Sequence, residues 1–147
     1  MSHLVVVAAA LAVWLGVGGS AAEPGRKAYL THVSTVCQTY ARRLERVPAP
    51  SAPAAYGDVI SSLRRVVPLL RAQERAMRAI QAPSTLQPTV GRLFAIDRSS
   101  IAPLESALAA ARRRDAGGVA SGLARFSSVR DRVHSLSVAI GIRCNPN

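Results

Sequence analysis

Residues 56–80 read YGDVISSLRRVVPLLRAQERAMRAI, and this stretch decides the fold. Tyr56, Val59, Ile60, Leu63, Val67, Leu70, Met77 and Ile80 recur at three- and four-residue steps. That period lines them along one face of an α-helix, because side chains three and four apart lie above one another. Pro83 ends the pattern, since proline lacks the amide a continuing helix needs.

The same period appears three more times on either side. Upstream, Tyr29, Leu30, Val33, Val36, Cys37, Tyr40, Leu44 and Val47 form a first stripe, on a helix expected to start near Arg26. Pro48, Pro50 and Pro53 close it within an Ala/Pro-rich linker over residues 47–55. Downstream, a third helix is expected to open at Ser84-Thr85. With Thr85 as N-cap, Pro88 falls at the third helical position, where no donor is required. Its stripe is Leu86, Val90, Leu93, Ile101, Leu104 and Leu108. Asp115-Ala116-Gly117-Gly118 reads as a turn. Val119, Leu123, Phe126, Val129, Val133, Leu136 and Ile140 follow as a fourth stripe, with Gly141 as its C-cap. Sustained alternation and hairpin turns are both missing, so no strand is expected. Four amphipathic segments with short connections predict an all-α fold, an up-down-up-down four-helix bundle. No Pro/Gly-rich stretch is long enough to divide it, so residues 23–147 read as one domain.

Residues 1–22 read as an export segment. Residues 4–19 are almost wholly apolar and uncharged, and Ser20-Ala21-Ala22 supplies the small residues a signal peptidase selects. Cleavage is expected after Ala22. Against a standard signal, Met1-Ser2-His3 contains no Lys or Arg. The rival reading is an uncleaved anchor, since residues 4–22 fall within the length of about 17–25 that spans a bilayer. Either reading places the domain outside the cytosol, secreted or associated with the cell envelope.

The whole formal charge of +11 lies beyond residue 22, and Lys27 is the one lysine among 19 basic residues. GC-rich codon usage explains an excess of Arg and Ala without any function. The functional reading is attraction to anionic lipid, cell-wall polymer or an acidic envelope protein. Arginine suits that role because its fork pairs with phosphate and carboxylate in a bidentate manner. Nucleic acid fits poorly, because export separates the chain from it and no run of aromatics offers a stacking platform.

Cys37 and Cys144 are the two cysteines. An exported pair is expected to oxidise; the alternative is two free thiols. In the bundle topology the fourth helix runs back toward the start of the first, so a Cys37–Cys144 bond would tie the tail to helix one. Cys37 lies about three turns into that helix, however. Either the helix starts later or the tail folds up alongside it.

Near its C-terminus the chain reads Ala139-Ile140-Gly141-Ile142-Arg143-Cys144, with Cys37 early and Asp115-Ala116-Gly117 before the last helix. This arrangement resembles small exported or lipoprotein helical proteins of high-GC bacteria, largely uncharacterised, which carry one early cysteine and a late Ala-x-Gly ending closed by a second. The resemblance implies a disulfide-linked helical fold and no activity. Many such proteins carry a lipobox, which this chain lacks.

Catalytic constellations are scarce. A carboxylate-bridged metal bundle needs paired Glu-x-x-His motifs, and here Asp131-x-x-His134 occurs once. His32 and His134 without ordered carboxylates are too few for zinc. There is no Gly-rich phosphate loop, Gly-x-Ser-x-Gly elbow or haem-attachment motif. The chain reads as non-enzymatic, with no cofactor.

Two candidate sites stand out. Arg42, Arg43 and Arg46 end helix one and Arg112, Arg113 and Arg114 end helix three, which the bundle topology brings to one pole near Arg64 and Arg65. Dipole compensation explains some of them, but three at each terminus exceed what capping requires. The other candidate is a pair of interior prolines, Pro68 and Pro103, expected at similar heights on antiparallel helices two and three. Two kinks at one level would open a gap beside Leu70, Ile101 and Leu104, fit for a small apolar ligand or cofactor. The competing reading is that the kinks follow bundle curvature, or that helix three restarts at Ser99-Ser100.

Overall fold

The computed structural model describes residues 24–50 and 55–145. The expected export segment, residues 51–54 of the Pro-rich linker and residues 146–147 lie outside them. Within the described residues the chain is all-helical, without strands, as α1 (Arg26–Glu45), α2 (Tyr56–Arg78), α3 (Gln87–Ser99), α4 (Ile101–Arg112) and α5 (Ala116–Ile140). None of these helices is long and apolar enough to cross a membrane.

The third helix is two helices, α3 and α4, divided at Ser99-Ser100 as the competing sequence reading has it. Ser99 and Ser100 turn their hydroxyls back onto the carbonyls of Ile96 and Asp97, each at 2.6 Å, and the Ser100 amide also reaches Asp97. Such back-bonding competes with the helical ladder. Pro103 then removes the donor that would have met Ser99, and its ring crowds that carbonyl. In α4 Pro103 stands in the first turn, where a missing amide costs nothing. The start of α3 also differs. Ser84, Thr85 and Leu86 form a turn in which the Leu86 and Gln87 amides bond the Pro83 carbonyl, and α3 begins at Gln87 with Leu86 at the N-cap. Thr85 is not the cap.

The expected turn at residues 115–118 is the opening of α5. Asp115 is its N-cap and accepts the Gly118 amide at 2.8 Å, satisfying one of the donors a helix start leaves free. The reversal lies just before it, where Arg114 takes the left-handed conformation at φ 58. At the other end Gly141, at φ 99, closes α5, a geometry glycine adopts without a Cβ clash.

Two apolar clusters hold the helices together. One joins Tyr29, Val33 and Cys37 of α1, Met77 of α2, Val90, Leu93 and Phe94 of α3, and Val133 and Ile140 of α5, with Ile142 beyond it. The other joins Val59, Leu63, Val67 and Leu70 of α2 to Ile101, Leu104, Ala107 and Ala111 of α4, with Leu44, Val119 and Phe126 packed against it. α4 and α5 meet closely. A Cβ at Gly122 would stand 2.8 Å from both the Ala107 Cβ and the Pro103 carbonyl oxygen. That approach turns Gly122 inward and leaves Leu123, expected in the core stripe, 40% exposed.

Side-chain pairs set the register. Arg71 of α2 pairs with Glu105 of α4. Glu74 accepts from Arg78 at 3.1 Å and from Arg98 of α3 at 3.4 Å, and Arg130 of α5 holds Asp97 of α3 at 2.7 Å. The exposed Arg71–Glu105 pair contributes only about 0–1 kcal/mol, so these pairs align helices that the clusters stabilise.

Cys37 and Cys144 form a disulfide, with Cα atoms 4.9 Å apart. The tail reaches that depth because Gly141 reverses the chain and residues 142–145 run back alongside α1. The Arg143 amide donates to Ser34 Oγ at 3.0 Å, and Gln38 Nε2 donates to the Arg143 carbonyl at 3.2 Å. α1 therefore starts at Arg26 as the sequence indicated, and the tail makes the adjustment.

Candidate functional site

No Cα of α1 comes within 8 Å of a Cα of α5. The tail spans that gap, and beneath it lies a cleft of about 580 Å³. α2 and α3 supply its floor through Met77, Leu93 and Phe94, with Val133 of α5 and Ile142 of the tail, all buried. Phe94 and Leu93 face inward because they sit three and four residues after Val90 on one helical face. The tail itself, from Gly141 to Asn145 and including the disulfide, makes one wall.

Polar groups break this apolar lining in three places. Gln73 is 5% exposed, and its Nε2 donates to Cys37 Sγ at 3.2 Å. Ser137 is equally buried, and its carbonyl accepts the Gly141 and Ile142 amides that start the reversal. Asp97 lines the cleft together with its partner Arg130. Burial is the main influence on Asp97 and pushes its carboxyl above the ordinary value, and Glu74 pushes it further. The positive charge and hydrogen bond of Arg130 pull the other way. His134 lies at the exposed rim of this cleft. His32 is exposed on α1 and does not line it. Among the described residues, no three His, Cys, Asp or Glu side chains stand ready to hold a metal ion.

The sequence reading missed this cleft. Its signal was a polar residue interrupting an apolar stripe: Gln73 three residues after Leu70 and four before Met77, and Ser137 four after Val133 and three before Ile140.

The arginines named from sequence lie at the other end of the molecule. From the Arg71–Glu105 pair, Arg64 lies seven residues back along α2 and Arg112 seven residues on along α4. The helices run in opposite directions, so the equal rise per residue brings Arg64 and Arg112 to one level. From the Gln73–Cys37 contact, eight residues each way brings Glu45 level with Arg65. Pro48, Ala49 and Pro50 accordingly rest beside Asp58, Ser61 and Arg65. Arg42, Arg43, Arg46, Arg64, Arg65, Arg112, Arg113 and Arg114 are all exposed, and Arg43 stacks its guanidinium 4.9 Å from the centre of the Tyr40 ring. The acidic residues in these turns are Glu45, Asp58 and Asp115, and Asp115 is committed to capping α5.

Pro68 lies within α2 with its ring exposed, and Pro103 is half-buried. Leu70, Ile101 and Leu104 beside them are buried in the α2–α4 cluster. Those three side chains therefore meet protein, and the cleft under the tail is lined by none of them.

No family model, curated protein or solved structure matches the chain.

Proposed function

We propose that the chain is an exported, non-enzymatic binding module of the cell envelope, built as an up-down helical bundle, whose arginine pole holds it to an anionic surface. The observation that supports this reading is the exposure of all eight arginines named from sequence, in α1, α2 and the end of α4 with the turn after it, together with the helix register set by the Arg71–Glu105 and Gln73–Cys37 contacts. Phosphate-bearing lipid or wall polymer offers the charge such a fork-bearing surface pairs with. The disulfide suits the oxidising compartment that the N-terminal segment points to. The likeness to small exported proteins of high-GC bacteria agrees with it.

Replacing Arg112, Arg113 and Arg114 with Gln tests the reading. Each basic side chain near an anionic membrane contributes about 1 kcal/mol, so the triple variant is expected to bind phosphatidylglycerol vesicles or isolated wall material roughly a hundredfold more weakly. Binding of the unaltered protein is expected to fall steeply with added salt. Retention that ignores both salt and the three substitutions would sink the proposal.

A further inference from the structure

We propose that the cleft under the disulfide-tied tail is a binding site for a small uncharged molecule with an apolar body and a hydrogen-bonding hydroxyl, amide or amine group. The site shares no residue with the arginine pole and does not depend on that reading. Its volume of about 580 Å³ falls within the roughly 300–1,000 Å³ of small-molecule sites. The floor of Met77, Leu93, Phe94, Val133 and Ile142 suits an apolar or aromatic body.

Two deep polar groups identify the rest of the ligand. The Ser137 hydroxyl makes no hydrogen bond among the described residues, although Ser137 is 95% buried and lines the cleft. Four other serine and threonine hydroxyls on these helices bond the carbonyl four residues back, at Thr35, Thr39, Ser106 and Ser135, and Ser137 does not. Gln73 gives its amide N–H to Cys37 Sγ, and its Oε1 has no partner among the described residues. Neither group is sealed off, since among the described residues Tyr29 Oη alone is a fully buried side-chain polar atom without a partner, so both are open to hydrogen bonding from the cleft. A ligand that donates to Gln73 Oε1 and accepts from Ser137 Oγ would take the place of solvent at both. Charge completes the description. The cleft's half-buried ionic groups, Asp97 and Arg130, neutralise one another at 2.7 Å, so a charged ligand would be desolvated there without a free counter-ion. The basic side chains of Arg143 and His134 stay at the solvent-facing rim. Val138, 60% exposed, forms an apolar lip at the mouth.

The test is titration of the purified, oxidised protein with N-phenyl-1-naphthylamine, an uncharged diaryl amine with one N–H whose fluorescence rises in apolar surroundings. Saturable one-site binding is expected, displaced by dodecan-1-ol at least tenfold more effectively than by dodecanoate. Ser137→Leu fills the cleft and is expected to weaken the probe at least tenfold. Val138→Arg changes an exposed position at the mouth, so it leaves the core intact should Ser137→Leu fail to fold. It is expected to weaken the probe at least fivefold. Absence of saturable binding, or affinity unchanged in a folded Val138→Arg variant, overturns the site. Stronger displacement by dodecanoate than by the alcohol overturns the assignment to an uncharged ligand.

Discussion

Removing the disulfide should bring this protein close to its unfolding threshold. The bond joins positions 107 residues apart. By the chain-entropy relation, a loop of that length constrains the unfolded chain by about 4.8 kcal/mol at 25 °C. In a Cys37→Ala, Cys144→Ala variant the Gln73 amide also loses Cys37 Sγ, its one acceptor, a further loss of about 1 kcal/mol. The total of about 6 kcal/mol compares with about 5–15 kcal/mol for the whole stability of a typical domain. Urea unfolding followed by helical circular dichroism measures the difference. With a slope of about 2 kcal/mol per molar urea, the midpoint should fall by about 2–3 M. Reducing the unaltered protein should reproduce most of that drop. A midpoint shift below about 0.5 M in both experiments would refute the reasoning, because a closed loop of this length cannot leave the unfolded chain unconstrained. The tail is held to α1 by two further hydrogen bonds, through Ser34 and Gln38, each worth about 1 kcal/mol. Loss of the cross-link is therefore expected to loosen the cleft wall before the helices themselves melt.

Tyr29 is 0% exposed and its hydroxyl has no partner among the described residues, which also pushes its ionisation upward through burial. Tyr29→Phe should therefore raise stability by about 1 kcal/mol, read as a rise of about 3–5 °C in Tm; a fall would show that the hydroxyl is satisfied. Asp97 titrates above its ordinary value of 3.8 because burial outweighs Arg130. The folded state then binds its proton more tightly than the unfolded state. The contribution of Asp97 to stability is greatest below the unfolded value and declines as pH rises through the folded one. Urea midpoints from about pH 3 to about pH 6 should show the stability of the unaltered protein falling with pH relative to Asp97→Asn. Parallel curves would show that burial does not govern this carboxyl.

Local chemistry was enough to make α2 legible. Val59, Leu63, Val67, Leu70 and Met77, read as part of its apolar face, are buried, and the polar Gln73 and Glu74 are buried with them. The same holds for the start of α1 at Arg26 and for the end of α5 at Gly141, where a left-handed residue is needed. The break at Ser100 was legible only as one of two readings of residues 86–108. Their stripe continues across it, while Ser99, Ser100 and Pro103 supply local chemistry that breaks the ladder there.

What the sequence determined by itself was helix existence, buried faces and the pairing chemistry of Cys37 with Cys144, since each depends on residues within a few turns or on the one thiol pair in the chain. Tertiary structure alone decided that Gly122 rather than Leu123 faces α4, that the tail climbs alongside α1, and that a cleft opens between α1 and α5 with Ser137 and Gln73 inside it. Periodicity states which face seeks a partner. How near two backbones come, and what space is left between them, depends on the side-chain volumes of several helices at once.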